Sequence, residues 1–275
     1  MSLQGWKKHL AKLKISEEQL RAQGQIWPPA DPKVYVLYSP PMMQPSSSEL
    51  DGWVKRPKEY KDYEKSKFQA RLDDYSRLGD VQRERVAYFR SRGSDSTILD
   101  PLSNRVFVSV NSDHVPSFFN LKKDGPKKIK HITGIRAFDG AADYYIASKD
   151  WREAIERVEP GVHQFFAVEF RCESGRIIRD YSFFHCLTQV SALDRESSGY
   201  RRDVGADGAT VVWYPPTSTS GPIKPVVDAG PIAGLHFWNE ERLSLNCVSK
   251  QMAEALEPLL PSGIVMWPVG LTPNT

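Results

Sequence analysis

The sequence has few cysteines and no long apolar run. Its three cysteines, Cys172, Cys186 and Cys247, cannot all pair and form no Cys-x-x-Cys motif, which favours a reducing compartment over a disulfide scaffold. No stretch of about 18 consecutive apolar residues could form a transmembrane helix. The first ten residues also lack the apolar segment of a secretory signal. We therefore expect a cytoplasmic protein that does not enter a membrane.

The chain also has almost no net charge. Among 275 residues, 37 Lys and Arg face 34 Asp and Glu, which gives a formal charge of +3. A nucleic-acid-binding domain is usually strongly basic, so we expect no direct nucleic-acid binding. One alternative stays open, because the loop Lys122–Lys130 carries five lysines and a single acid. In that alternative the protein is associated with nucleic acid through this loop.

Catalytic motifs are missing as well. The sequence has no Gly-x-Ser-x-Gly elbow, phosphate-binding loop, dinucleotide glycine pattern or His-Glu-x-x-His helix. The spacing of Cys172, Cys186, His163 and His185 matches no zinc-ligand pattern. We therefore predict no catalytic residue, no metal site and no cofactor. The alternative is an enzyme with an unrecognised site around His163, His185 and Asp194.

The N-terminal part has the residue patterns of charged helices. The first thirty residues show leucines at helical spacing, and the proline-rich segment Trp27–Pro32 ends any helix there. Val34–Tyr38 is typical of a strand. Residues 49–92 contain 12 basic and 9 acidic residues with aromatic or aliphatic residues every three to five positions. This spacing predicts solvated surface helices that begin near Pro57.

The second half alternates between strand and helix signals. Tyr144–Ala147 predicts a strand, and Ser148 is a favourable N-cap for a helix over Lys149–Val158. The segments 163–171 and 177–190 then predict a β-hairpin.

A similar pattern returns 101 residues later. Ser148 and Lys149 correspond to Ser249 and Lys250, Pro160 corresponds to Pro261, and the four residues from Phe165 correspond to the four from Met266. We interpret this as two copies of a strand–helix–strand unit. The alternative is that two capped amphipathic helices merely look alike.

These patterns predict an α+β fold, with a mixed or antiparallel sheet and packed helices. The prediction includes the two strand–helix–strand units in the second half and a helical N-terminal part. It divides the chain into an extension (1–30), an N-terminal part with a strand and charged helices (31–138) and an α+β domain (139–275). Alternatively, 31–275 form one domain. Residues 195–231 have little regular signal, and such long loops are often functional, so we predict that recognition occurs there.

Five motifs of the second half carry a likeness to a known family: Gly161–Val168, Phe184–Leu187, Ser191–Ser197, Gly234–Trp238 and Gly263–Trp267. In these motifs the chain resembles immunity family eleven of bacterial polymorphic toxin systems. Ala167 stands where the family pattern has proline, and Ser191 where it has an acid. The resemblance covers Tyr144 to Val269, with Val34–Tyr38 as an opening strand.

The resemblance implies a cytoplasmic protein that binds one cognate toxin and neutralises it without catalysis, as a monomer or in a 1:1 complex. Toxins of such systems include HNH-type nucleases and are delivered by contact-dependent or type VI secretion routes. Acidic side chains would steer association with a basic nuclease groove, and aromatic side chains would anchor the interface. Core packing is the expected role of Trp238 and an equal alternative for Trp213. The predicted toxin contacts are Arg195, Glu196, Tyr200, Asp203, Asp207, Trp213, Tyr214, Glu240 and Glu241.

Overall fold

The computed structural model describes residues 32–38, 54–76, 109–122, 125, 129, 132–136, 143–204, 211–214, 225–241, 245–260 and 265–272. The predicted extension 1–30 and Asp207 lie outside them. The chain divides into two compact units. The terminal unit contains residues 1–40, 189–257 and 263–275, and the central unit contains residues 41–188 and 258–262. Each unit is assembled from non-consecutive segments, whereas the predicted boundaries divide the chain once after residue 30 and once after residue 138.

Short strands dominate the described part of the chain. The three α-helices described are α1 (Lys58–Ser76), α2 (Lys149–Val158) and α3 (Lys250–Leu256). The strands are β1 (Val34–Tyr38), β2 (Phe118–Leu121), β3 (Ile132–Arg136), β4 (Asp143–Ser148), β5 (Gln164–Cys172), β6 (Ile177–His185), β7 (Gln189–Val190), β8 (Arg201–Val204), β9 (Val211–Tyr214), β10 (Val226–Asp228), β11 (Phe237–Glu240), β12 (Leu245–Ser249) and β13 (Val265–Thr272).

The central unit contains a five-stranded sheet in the order β2-β5-β6-β4-β3. The pair β2 and β5 is parallel, and the other neighbours are antiparallel. Since β4 and β5 both pair with β6, the helix α2 connects two parallel strands that lie on either side of a third. The hairpin β5–β6 closes through residues 173–176, where Gly175 has a φ of 85° and donates to the Cys172 carbonyl at 3.0 Å. This turn confirms the predicted hairpin, but its second strand ends at His185, and Gln189–Val190 of the predicted arm belong to the terminal sheet instead.

The terminal unit contains a six-stranded sheet in the order β10-β13-β1-β12-β11-β7. The pairs β10–β13 and β11–β7 are parallel, and the other neighbours are antiparallel. The helix α3 connects β12 and β13, which lie on either side of β1. The arrangement β10-β13-β1-β12-β11 therefore repeats, strand for strand and direction for direction, the arrangement β2-β5-β6-β4-β3 of the central unit.

The two sheets differ in where the middle strand comes from. In the central unit β6 follows β5 directly in a hairpin. In the terminal unit the same position is filled by β1, which precedes every other described strand. The terminal unit is thus a circularly permuted version of the central one.

The pairing register of the central unit fixes which residues correspond. Ser148 in β4 and Val168 in β5 both pair with Tyr181 in β6. Phe166, two residues earlier in β5, pairs with Phe183.

The residues 101 positions later pair in the same way in the terminal unit. Ser249 in β12 and Val269 in β13 both pair with Val34 in β1, and Trp267 pairs with Val36. The 101-residue offset of the sequence is therefore also the offset of the strand register. Two helices that merely look alike would not impose the same register on the strands around them, which argues against that alternative.

Both crossover helices begin at a serine cap. The Ser148 hydroxyl accepts a hydrogen bond from the Trp151 amide at 3.3 Å, and the Ser249 hydroxyl accepts one from the Met252 amide at 3.2 Å. Each cap satisfies one of the amides that lack a partner at a helix N-terminus. The predicted N-cap at Ser148 and the helix over Lys149–Val158 are confirmed.

Helices cover both faces of the central sheet. Tyr60 of α1 lies 5.7 Å from the Phe119 ring, which lies 5.7 Å from the Phe183 ring. Trp151 of α2 packs edge-on against Phe184 at 5.6 Å. Phe183 and Phe184 are adjacent in β6 and point to opposite faces. The helices α1 and α2 therefore lie on opposite sides of the sheet.

The terminal sheet has a core on the face that corresponds to the α1 side. Its buried residues come from the sheet and from connecting segments, with no helix among the described residues of this layer. On the other face α3 packs against β12 and β1 and buries Met252, Ala253 and Leu256. Trp238 is fully buried in the core, as predicted. The cluster comprises Val34, Val36, Ala192, Val227, Ile232, Trp238, Cys247 and Val269.

The predicted fold class is wrong in its account of the helices. The described residues are mostly strands in two sheets, and the N-terminal part is not a helical region, since β1 belongs to the terminal sheet and α1 covers the central one. Only a loose α+β description holds. The error arose because strands of three to five residues, such as β2, β3 and β10, are too short to show alternation in the sequence.

The charged helix α1 is not simply solvated. It buries Tyr60, Glu64, Phe68 and Arg71, so its inner stripe includes two charged residues. Arg56 contacts Glu64 at 3.3 Å, and Arg71 donates to the His114 carbonyl at 2.6 Å. Paired in this way, the buried charges retain hydrogen-bonding partners.

Candidate interaction surface

The turn Asp194–Gly199 is held rigidly by its own side chains. The Asp194 carboxylate accepts hydrogen bonds from the Ser197 amide at 3.0 Å and from the Ser197 hydroxyl at 2.5 Å. The Ser198 amide donates to the Asp194 carbonyl at 3.0 Å, and Gly199 has a φ of 75°. The motif that carried the resemblance therefore builds a turn, as expected for Asp and Ser at such positions.

The same turn is fastened to the edge of the terminal sheet. The buried Ser198 hydroxyl donates to the Val226 carbonyl at 3.2 Å and lies 2.9 Å from the Val226 amide, from which it accepts. The Asp194 amide donates to the same carbonyl at 2.9 Å. Next to it Leu193 forms an antiparallel bridge with Val227. The turn that precedes β8 is therefore attached to the edge of the sheet.

Beneath the turn lies one of the predicted acids. Glu240 is fully buried, and its carboxylate accepts a hydrogen bond from the Ala192 amide at 2.8 Å. Tyr200 is half-buried nearby. Burial raises the pKa of its hydroxyl, the Arg195 charge lowers that pKa, and the Glu240 charge raises it. The Tyr200 amide donates to the Arg195 carbonyl at 2.8 Å, and Glu240 lies inside the protein rather than on its surface.

A two-stranded ribbon, β8–β9, follows the turn. Its strands pair antiparallel, with Arg202 opposite Trp213 and Arg201 opposite Tyr214. All four residues of β8 are exposed, including the predicted contact Asp203 and the apolar Val204, whose exposed fraction is 44%. Successive residues of a strand point to opposite faces. Both faces of β8 are therefore open to solvent.

The remaining predicted contacts flank this region. Glu196 is exposed in the turn. Glu241 follows β11 and is half-buried, and its amide donates to the Val190 carbonyl at 2.8 Å. The described surface carries Arg201 and Arg202 beside Asp203, so it is of mixed charge rather than acidic.

The residues of the alternative enzymatic site each have local structural partners. His163 Nδ1 accepts from the Leu187 amide at 3.3 Å, which leaves Nε2 to donate to the Glu159 carboxylate at 3.1 Å. His185 is fully buried in β6. Asp194 caps its own turn, as described above.

The basic loop of the other alternative is described at three positions. Lys122 is exposed, Gly125 has a φ of 64°, and Ile129 is buried in the core of the central unit. The other four lysines lie outside the described residues.

Within the described ranges, no group of three or more His, Cys, Asp or Glu side chains is arranged to hold a metal ion. No helix in these ranges has the length and apolar character needed to cross a bilayer.

One charged cluster escaped the sequence interpretation. The Glu169 carboxylate accepts hydrogen bonds from Arg179 at 2.9 Å and from Arg171 at 3.3 Å, and Arg171 lies 4.0 Å from the Phe118 ring centre. The bond from Arg179 is the main reason that the pKa of Glu169 is lowered. The cluster lies beside a bulge between β5 and β6, where Asp180 has a φ of 71°. Sequence spacing gives no sign of a bulge that brings residues 169 and 179 together.

The described part of the protein contains two similar sheets, an anchored turn and an exposed strand, β8. The model of the immunity protein family (Imm11) matches residues 96–270, more than half of the chain. The chain therefore belongs to the Imm11 immunity protein family, which confirms the resemblance. No curated protein matches the chain.

The matched range contains both crossover helices and the ribbon but neither β1 nor α1. The strand β1 is nevertheless the middle strand of the terminal sheet. Its recognition from sequence rested on a short run of β-branched and aromatic residues.

Proposed function

We propose that this protein is an immunity protein that binds a cognate toxin of a polymorphic toxin system and neutralises it by direct protein–protein contact. In this proposal it acts in the cytoplasm, without catalysis and without a cofactor, as a monomer that forms a 1:1 complex. The observation that carries the proposal is membership of the Imm11 immunity protein family.

The arrangement of the terminal unit supports a binding role. Its turn is fixed by the side chains of Asp194 and Ser198, and the ribbon that follows is exposed on both faces of β8. A surface whose shape is set before binding loses less conformational entropy when a partner docks. The proposed contacts are Arg195, Glu196, Tyr200, Asp203, Asp207, Trp213, Tyr214 and Glu241, with Glu240 in a supporting position below them.

Protection from a toxin requires tight binding, because a few free toxin molecules can kill a cell. A dissociation constant of about 1 nM corresponds to roughly −12 kcal/mol. Interfaces of such complexes bury about 1,600 Å² in total. A few anchor residues usually dominate such a binding energy, and the eight proposed contacts would include them.

The test uses the toxin domain encoded beside this gene. The purified protein is expected to co-purify with that domain and to abolish its activity at equal concentrations. Cells that express the toxin domain are expected to survive only when they also express this protein. Failure to bind and to protect would overturn the proposal.

A point variant separates the proposed surface from general stability. Tyr200→Ala is expected to weaken binding by about 2 kcal/mol, as for an aromatic hot spot. The matched control is Tyr63→Ala, which truncates a half-buried tyrosine of α1 in the central unit. Unchanged binding by the Tyr200 variant would remove that residue from the interface.

We further propose, from the family resemblance, that the toxin is a nuclease of the HNH type delivered by a contact-dependent or type VI route. The corresponding assay measures cleavage of plasmid DNA by the toxin domain with and without an equimolar amount of this protein. A toxin domain that leaves DNA intact but kills cells would contradict the nuclease assignment and leave the immunity role standing.

A further inference from the structure

We propose that the β8–β9 ribbon is the recognition element of this protein and that it binds an extended, carboxylate-bearing segment of the toxin as an added strand along β8. This inference rests on the proposed immunity function and specifies how the toxin is recognised.

The ribbon is an addition to the frame that both units share, which consists of five strands and a crossover helix. In the central unit Val54 forms an antiparallel bridge with Leu121 of β2, and in the terminal unit Leu193 forms one with Val227 of β10. The strands β2 and β10 occupy corresponding positions at the sheet edges. Between bridge residue and edge strand, the chain contains α1 in the central unit and the ribbon in the terminal unit. The two additions are therefore made at the same place in the frame.

The two additions differ in what they bury. The helix α1 buries Tyr60 and Phe68, with exposed fractions of 3% and 6%. No residue of β8 is buried or half-buried. Packing in the core therefore explains the presence of the helix, whereas β8 contributes no side chain to a core.

A ribbon of this kind is suited to gain stability from a partner. An isolated two-stranded ribbon is only marginally stable in water, and a third strand strengthens it. Among the described strands, β8 has β9 as its one neighbour in the ribbon sheet. In such a ribbon, part of the backbone amides and carbonyls of each strand point away from its neighbour. A strand added along β8 would form hydrogen bonds with backbone groups of this kind.

The side chains of the ribbon specify the chemistry of that segment. Arg202 is exposed on β8, and the register puts it opposite Trp213. Arginine binds carboxylates through two parallel hydrogen bonds, and it is one of the residue types most enriched among interface hot spots. Val204, two positions from Arg202 on the same face of β8, adds an exposed apolar contact. A toxin strand with a carboxylate and an apolar residue two positions apart fits this face.

The experiment measures binding of the full-length protein to the toxin domain encoded beside the gene. Arg202→Glu is expected to raise the dissociation constant by at least about 30-fold and to weaken the salt dependence of the association rate. The matched control is Lys58→Glu, which makes the same charge change at an exposed position of α1. This control is expected to change the dissociation constant by less than about threefold. Thermal unfolding midpoints of both variants should equal that of the unmodified protein, because both side chains are exposed.

Hydrogen exchange provides the readout for strand addition. Amides of residues 201–204 should gain protection in the toxin complex, whereas amides on the exposed face of α1 should not.

The outcomes separate this inference from the proposed function. If the unmodified protein does not bind the toxin domain, the immunity function fails and this inference fails with it. If it binds, and both Arg202→Glu and the exchange of residues 201–204 are without effect, the function stands and the ribbon is not the recognition element. That second result would also assign the charges of β8 to protecting an open strand edge against aggregation. A loss of affinity without protection of these amides would overturn strand addition in favour of side-chain docking.

Discussion

The central and terminal units share one strand arrangement and one crossover helix but differ in what covers the sheet. In the central unit α1 completes the core with Tyr60 and Phe68. In the terminal unit the described residues of the corresponding layer come from connecting segments, which contribute Ala192 and Ile232, and the strand β8 is exposed. The same strand arrangement therefore underlies both cores, whereas the added segment is buried as α1 in one unit and exposed at β8 in the other.

The units also differ in how far apart in sequence their middle contacts lie. The strand β6 pairs with its hairpin partner β5 a few residues away. The strand β1 pairs with β12, more than 200 residues later, for example between Val34 and Ser249. Closing such a long loop costs more entropy before any contact forms. We expect the central sheet to form before the terminal one.

The largest expected effect tests the permutation itself. Deleting residues 1–38 removes the middle strand of the terminal sheet, and the terminal unit should lose its cooperative structure. Attaching residues 32–38 behind Thr275 should restore it, because Val34 pairs with Val269 close to the end of β13. The measurement is hydrogen exchange of β12 and β13. If β12 and β13 kept their protection from exchange in the deletion variant alone, this result would contradict the equivalence of β1 and β6.

Next in size are substitutions at the corresponding buried residues of the two crossover helices. Trp151→Ala should cost about 3–5 kcal/mol and Met252→Ala about 2–5 kcal/mol of unfolding free energy, because each leaves a cavity in a fully buried position. Urea unfolding, followed separately in each unit by hydrogen exchange, should locate each loss in its own unit. The exposed Arg157→Ala is the control and should change stability by less than about 0.5 kcal/mol. A loss spread equally over both units would mean that they unfold together.

A smaller effect is expected at the buried carboxylate of the terminal unit. Glu240→Ala should cost about 1–3 kcal/mol, because it leaves the Ala192 amide without its acceptor. Glu240→Gln keeps a carbonyl oxygen at that place and should lose less. Exchange of the Ala192 amide measures the difference. Equal exchange in the two variants would show that this hydrogen bond does not hold the segment.

The two serine caps should respond alike. Ser148→Ala and Ser249→Ala should each cost about 1 kcal/mol, since each removes the acceptor for one amide in the first helical turn. Ser→Asp at either position should retain most of the stability. The urea midpoints provide the measurement, and a cost confined to one unit would break the correspondence of the caps.

The smallest effect separates the units by pH. The pKa of Glu169 is lowered, chiefly by the hydrogen bond from Arg179, whereas the register gives Gly270 as its counterpart in the terminal sheet. A carboxyl with a lowered folded pKa adds stability above its unfolded pKa, and this stability is lost as pH falls through the folded pKa. Acid should therefore loosen the β5–β6 hairpin. NMR titration should find a higher Glu169 pKa in Arg179→Ala, and an unchanged value would exclude Arg179 as the cause.

Local patterns predicted the capped helix, the hairpin and the 101-residue correspondence well. Ser148, Gly175 and Trp238 have the structural roles expected of their positions. The residues of the candidate surface were predicted less well than these local features. The lack of regular signal in residues 195–231 predicts a recognition surface there, and these residues contain the ribbon. Residue type alone, however, does not distinguish the buried Glu240 from the half-buried Glu241. Burial of a charge depends on partners from other segments, here the Ala192 amide.

Features that depend on neighbouring residues could be predicted from the sequence alone. These are the caps, the turns, the alternation of long strands and the motifs of an immunity family. The pairing of distant segments became clear only from the tertiary structure, because the residues of a five-residue strand do not specify which strand it pairs with. The tertiary structure made β1 the middle of a sheet whose other described strands begin more than 150 residues later. It also drew Glu64 and Arg71 into the core and left β8 exposed. These outcomes depend on which surfaces remain to be covered once the sheets have formed, and no local pattern contains that information.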